Sequence, residues 1–230
     1  MRHARWAAPL LSLGLVAALA LPAGAAGGRA PKPNAQDRAV LAAGVATAAD
    51  VPAGWTASPQ VDTGTKDYQG IKDCQPIARA VTAARAKVPH RLSPNFSPPG
   101  STTTATVVDD IVLAFKNPNG ASAFVAAYQG PTISDCLQKV LAKTTGGKAQ
   151  VSVAQLDDLQ GIGDANVGYE ATISASDSGQ NLTLVGDVIT VQVGRAVVLL
   201  SYLNDGAQTL PEGMGIVTAV VNRLRFAPGG

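Results

Sequence analysis

Histidine, cysteine and aromatic residues are scarce in this chain of 230 residues, which has two His, two Cys and 4% Phe, Trp and Tyr together. His3 belongs to the extreme N-terminus, so His90 is the single imidazole of the rest. No second His completes a metal pair, and Cys74 and Cys136 lie too far apart in sequence for zinc-ligand spacing. We therefore expect no metal and no cofactor. No Gly-x-Ser-x-Gly elbow, His-Glu-x-x-His helix or Cys–His arrangement occurs. The expectation is a protein that is not an enzyme. A carboxylate-dependent hydrolase using Asp157, Asp158 or Asp164 needs no motif and is the lesser alternative.

Charge is also sparse, at 15% Asp, Glu, Lys and Arg, with 18 basic residues against 16 acidic. Arg2 and Arg5 carry the excess, so without them 16 bases face 16 acids. Nothing in that balance suits nucleic acid as a partner. The apolar run Leu10–Leu21 is short for a membrane span, and Pro22 and Gly24 disturb its continuation. Preceded by Arg2 and Arg5 and followed by Ala23-Gly24-Ala25, it reads as an export signal over residues 1–25. A retained anchor is the alternative. No Cys follows the run to accept a lipid, so the expected localisation is secreted, extracytoplasmic, in the cell envelope. Two cysteines in an oxidising compartment favour a Cys74–Cys136 disulfide over two separate buried thiols.

The Pro-containing stretch 26–35 reads as a flexible linker and 36–228 as one domain. Its central feature is NLTLVGDVITVQVGRAVVLLSYL, residues 181–203, two β-branched runs joined at Gly194-Arg195. Gly at the first position of a two-residue loop suits a hairpin turn. Val197 to Leu200 are consecutively apolar, so both faces of that strand should be covered. The Gly186-Asp187 pair interrupts the alternation and predicts a bulge.

Around this hairpin the spacing predicts a helix from Gln36 to about Ala49, broken near Gly44. A second helix from about Cys74 to Val88 carries Ile77, Val81 and Ala84 on one stripe. Pro89–Thr104 reads as a long loop, Ala105–Phe115 as a strand with Ile111, Leu113 and Phe115 inward. Neighbouring Asp109 and Asp110 must then point to opposite faces. Asn119 and Ser134 are the expected caps of two further helices. Val151 and Val153 point inward from a short strand, and Asp157–Gly168 is a second loop whose Gly-x-Gly lacks the rest of a dinucleotide motif. Leu210-Pro211-Glu212 opens a last helix with Met214, Val217, Val221 and Leu224 inward. The sum is an α+β domain, an antiparallel β-sheet packed with several helices.

In this order the chain resembles the PknH-type extracellular sensor domains and the secreted or lipid-anchored actinobacterial proteins built on them. The resemblance rests on Asp50-Val51-Pro52-Ala53-Gly54-Trp55 after an apolar helix and on Cys74 opening the next. It continues through Val107–Phe115, Ala121–Tyr128 and Cys136, and closes with Gly163-Asp164, Val191-Gln192-Val193-Gly194 and a C-terminal helix. It spans about Val40 to Phe226, without a kinase domain. The resemblance implies extracytoplasmic, sensor-like binding of a small or lipidic envelope molecule or a partner protein. A structural envelope protein with no small ligand is the alternative. Around such a cleft we expect Trp55, His90, Phe96, Asp164 and Tyr202, each of which also has a plain reading as core, turn or surface.

Overall fold

The computed structural model describes residues 31–60, 68, 70–99, 107–157, 159–177, 180–205 and 210–228. The expected export signal lies outside the described residues, as do residues 26–30 of the linker. The helices are α1 (Ala35–Gly44), α2 (Gln75–Lys87, entered through a 3-10 turn at Lys72–Cys74), α3 (Pro118–Tyr128), α4 (Ile133–Thr144) and α5 (Leu210–Phe226). The strands are β1 (Thr56–Ser58), β2 (His90–Leu92), β3 (Asn95–Ser97), β4 (Val107–Ala114), β5 (Ala149–Gln155), β6 (Ala165–Asp177), β7 (Gln180–Val193) and β8 (Ala196–Asp205). They form one sheet in the order β1-β3-β4-β8-β7-β6-β5, with β2 also on β4. Every pairing is antiparallel. This is the expected α+β class.

The β7–β8 hairpin turns at Gly194, whose φ of 54° lies in the left-handed region that glycine adopts without penalty. Consecutive residues of a strand point to opposite faces, and here helices cover both. Val197, Leu199 and Leu203 of β8 join Ile111 and Leu113 of β4 and the β6 residues Tyr169 and Ile173 on one face. Against them pack Ile77 and Val81 of α2, Phe124 and Tyr128 of α3, and Leu137 and Leu141 of α4. Val198, Leu200 and Tyr202 face the other way, with Val112 of β4 and Ile189 of β7, under Val40 and Leu41 of α1 and Val217, Val221 and Leu224 of α5. The unbroken apolar run of β8 is the signature of a strand buried on both sides.

On the first face, Cys74 and Cys136 form a disulfide, their Cα atoms 4.8 Å apart, which ties the entry of α2 to α4. Phe115, Phe124 and Tyr128 stack in tilted pairs with centroids 5.6 and 5.4 Å apart. The Tyr169 hydroxyl donates to the Tyr128 carbonyl at 2.6 Å. On the second face, Arg223 of α5 donates to the carbonyls of Ala43 and Val45 and pairs with Asp50, clamping the end of α1. Arg195 of the hairpin turn reaches Asp37 of α1 at 2.7 Å and the Phe115 carbonyl at 2.8 Å. Burial works against the charges of Asp37 and Asp50, yet these arginines and local N–H donors hold both carboxyls below their ordinary range.

The structure corrects several expected elements. Helix α1 stops at Gly44, where a Cβ would lie 2.7 Å from Val112 Cγ1 and 3.2 Å from Leu224 Cδ2, so close packing sets its end. The Pro89–Thr104 loop carries β2 and β3, three-residue strands that gain hydrogen bonds from β4 despite weak apolar periodicity. Residues 100–106 lie outside the described residues. Asn117, rather than Asn119, caps α3, its side chain accepting from the Gly120 N–H at 3.0 Å. Helix α4 begins at Ile133 after Thr132, so Ser134 lies inside its first turn. No bulge forms at Gly186-Asp187, because β7 is an inner strand in continuous register with β6 and β8.

Candidate functional site

The α1/α5 face is apolar only over part of its width. Continuous register places its residues in three cross-strand rows. Gln150, Ser174 and Thr183 form the outermost row, and Ser152, Thr172, Val185 and Asn204 the next. Ala154, Glu170, Asp187 and Tyr202 form the third. Gln150, Ser152, Ala154 and Thr183 are exposed, and Glu170, Thr172, Ser174 and Val185 are half-buried. Ahead of Glu170, the first two rows form an open floor made largely of neutral hydroxyl and carboxamide groups. Each can donate and accept a hydrogen bond, and facing neighbours stand about 5 Å apart across the strands.

The outermost row leads into a cleft of about 500 Å³, whose lining includes Lys148, Gln150, Ser174, Ser176, Leu182 and Thr183. The third row passes under the start of α5. Asp187 and Tyr202 are 1% and 2% exposed there. A Cβ on Gly213 of α5 would lie 3.5 Å from the Tyr202 Cβ and 3.7 Å from Asp187 Oδ2, so helix backbone runs directly over both. The N-terminal end of a helix favours a carboxylate. Glu170 stands opposite Asp187 on β6, an arrangement of like charges that sheets ordinarily avoid.

A second cleft of about 480 Å³ lies at the opposite edge, among Ala57, Pro59, Gln60, Arg91, Ser93 and Pro94. Behind it, Asp110 N–H donates to Ser93 Oγ at 2.8 Å, and Ser93 N–H donates back to the Asp110 carbonyl at 3.0 Å. Asp110 is 1% exposed. Its Oδ1 accepts the Ala46 N–H at 3.0 Å, and its Oδ2 has no partner among the described residues. Burial pushes its carboxyl up to about 7, against the opposing pull of Ser93, Ala46 and Arg223.

Three of the five residues expected near a cleft come together. Phe96 and Tyr202 are buried in the α1/α5 cluster, and half-buried Trp55 packs against it. His90 does not join them: it pairs on β2 with Leu113, a residue of the α2–α4 cluster, and its Nδ1 lies 3.2 Å from the Val88 carbonyl. Asp164 is at a different place again. Its Oδ2 accepts the Gly194 N–H at 2.6 Å and its own N–H donates to the Gln192 carbonyl at 2.8 Å, fastening the 156–164 loop to the hairpin turn. Gly163 beside it has a φ of 69°, and a Cβ there would collide with the Gln192 carbonyl. Asp158 lies outside the described residues. Asp110 was expected only to point away from Asp109, with no sign of its burial, and the polar rows were not expected. The signal for the rows was present: Gln150 and Ser152 alternate with Val151 and Val153, and Thr172 and Ser174 with Ala171, Ile173 and Ala175.

Among the described residues no group of three or more His, Cys, Asp or Glu is placed to hold a metal ion. No helix among them is long and apolar enough to cross a membrane. No family model and no curated protein matches the chain. The extracellular domain of PknH from Mycobacterium tuberculosis, a solved structure, matches it with a TM-score of 0.51 at 14% identity. The match covers 84% of this chain and 97% of that domain. The fold is that of the PknH extracellular domain. LpqN, involved in cell envelope biogenesis of Mycobacterium tuberculosis, also matches, with a TM-score of 0.30 at 12% identity over 75% of this chain and 78% of that one. Identities this low speak to the fold and leave function to the site.

Proposed function

We propose that the protein is a non-catalytic binding module working outside the cytoplasm, in the cell envelope, and that its ligand lies on the β5–β7 floor. The observation that carries the reading is the floor itself: three strands present neutral donors and acceptors in register, leading to a cleft of about 500 Å³. That surface suits a small polar molecule, or the polar headgroup of a lipidic one, held by many weak hydrogen bonds. The export-signal pattern, the Cys74–Cys136 bond and the fold shared with an extracellular domain support the compartment. Trp55 is the half-buried member of the Trp55–Phe96–Tyr202 group, and it lies beside β1, at the edge of the sheet away from this floor. A partner protein is the second reading, favoured by Phe226, which is 89% exposed at the end of α5.

Native mass spectrometry on protein secreted by its own host tests the proposal. The expected result is a reproducible extra mass that leaves on unfolding and is absent from a folded Thr172→Val, Ser174→Val double variant. A clean apo mass for the unaltered protein would overturn the small-ligand reading in favour of a protein partner.

A further inference from the structure

We propose that the outer edge of β5 is a pairing surface for a second copy of this chain, which would join two sheets into one across a two-fold axis. The two edges of the sheet are built differently. At the β1–β2–β3 edge the strands have three residues each and are flanked by Pro59, Pro89, Pro94 and Pro98. Short strands and prolines are the usual protection against unwanted strand addition. At the other edge β5 runs through seven residues, all in register with β6, with no proline, bulge or charge among them. None of the ordinary protections is built into the strand.

The hydrogen-bond pattern shows which groups point outward. Leu156 N–H donates to the Gly168 carbonyl, so the even-numbered residues of β5 bond to β6. The main-chain groups of Ala149, Val151, Val153 and Gln155 therefore face away from the sheet. The Val151 carbonyl confirms this by accepting from the side chain of exposed Gln138 on α4, at 2.8 Å, instead of from a strand. A flexible surface glutamine is a cover that an incoming strand can displace.

The occupant follows from the strand's own sequence, Ala-Gln-Val-Ser-Val-Ala-Gln. Paired on itself about Ser152, it sets Val151 on Val153, Gln150 on Ala154 and Ala149 on Gln155. Each contact is made twice and none of them is charged, so the strand is compatible with an isologous contact. Antiparallel pairing centred there sets Val151 against Val153 of the other copy, both leaning toward the α2–α4 side where each already packs against the core. Ser152 meets its own counterpart on the open face, in a pair without direct main-chain bonds, where Cα atoms approach to about 4.5 Å. With no charge on the strand, like meets like without repulsion. The chain's own linker is a poor competitor, since Pro31 and Pro33 remove donors a strand needs. The pairing sets the Gln150–Ser152 rows of two copies side by side, extending the polar floor across the axis.

Sedimentation of the signal-free protein, with Ser152→Cys and Val153→Pro variants, tests this independently of any ligand. A concentration-dependent dimer is expected by about 100 µM, the range of a small strand-pairing interface. Ser152→Cys should oxidise to a covalent dimer at least about tenfold faster than a Thr183→Cys control on the same face, as expected for thiols held in contact. Val153→Pro, which removes an outward N–H and trims a half-buried side chain at the edge, should stay monomeric with an unchanged circular dichroism spectrum. A monomer throughout, equal cross-linking of the two cysteine variants, or a dimer that survives Val153→Pro would each overturn the proposal. So would Ser152→Cys forming a mixed disulfide with a different envelope chain in the host.

Discussion

The two faces of the sheet are held by different physics. The α2–α4 face is apolar and aromatic, with one covalent tie between Cys74 and Cys136. The α1/α5 face combines a comparable apolar cluster with charged clamps, Asp37–Arg195 and Asp50–Arg223, and the fully buried Asp110. Apolar burial, at roughly 25 cal/mol per Å², does not depend on pH, whereas an ion-paired or protonated carboxylate does. The Lys139–Asp73 pair on the α2–α4 side is exposed to solvent, so the face carrying the proposed ligand floor is the one whose stability should respond more strongly to pH.

The sharpest way to break the first face is to remove the disulfide by Cys74→Ser with Cys136→Ser. Freeing a link between residues 62 apart should cost about 4 kcal/mol through the unfolded chain's entropy. Urea denaturation would show it as a lowered midpoint. A loss below about 1 kcal/mol would mean that strain or residual unfolded-state structure offsets the entropic gain.

Arg223→Ala probes the second face. It removes the donor to the Ala43 and Val45 carbonyls and leaves the Asp50 carboxylate, whose side chain is 4% exposed, with its Thr47 hydrogen bonds but no cation. The expected loss is about 2 kcal/mol, below the full cost of breaking a buried pair because the arginine itself is partly solvated. Amide exchange should quicken in α1 before it does in α3 or α4. Uniform quickening would show that the two faces unfold as one unit.

The most specific effect is one of pH. Asp110 has a folded-state pKa of about 7 against an ordinary 3.8, so the folded protein binds its proton more tightly than the unfolded chain. Its contribution is fully present below about pH 4 and is lost as pH rises through 7, at up to about 1.4 kcal/mol per pH unit. Asp37 and Asp50 act in the opposite sense: their contribution is present above about pH 4 and lost as pH falls below it. Asp110→Asn should flatten the stability profile between pH 4 and 7 and leave the acid limb in place. An unchanged slope in that window would assign the pH dependence to another group.

Much of the fold could be read from local pattern. Ile77, Val81 and Ala84 recur at helical spacing, and Val197–Leu200 demand cover on both sides, because each periodicity is set by the geometry of one element. Helix caps were read less well. Asn117 and Asn119 are chemically alike and both precede the apolar stripe, and only the backbone bond to Gly120 separates them. Strands β2 and β3 could not be read at all, since three residues have no periodicity and exist through what β4 offers them.

The resemblance motifs have a similar lesson. Gly163-Asp164 and Gln192-Val193-Gly194 are distant in sequence, yet they are the two halves of one joint, closed by the Asp164–Gly194 and Asp164–Gln192 hydrogen bonds. Gln192 extends that joint, accepting from Ser122 Oγ at 2.9 Å and donating to the Pro118 carbonyl at 3.2 Å. These residues are recognisable because the fold needs them, which is a different reason from touching a ligand.

By itself the sequence determined the types of the longer elements, the hairpin and the covered faces of β8, because spacing and composition suffice for these. The meeting of Cys74 and Cys136 took the fold. Only the tertiary structure decided that Phe96 and Tyr202 are core, that Asp110 is buried without full hydrogen bonding, and that Gln150, Thr172, Ser174 and Thr183 share one open floor. Those properties depend on which strand lies beside which, and strand order is set by the long-range burial of two apolar faces at once.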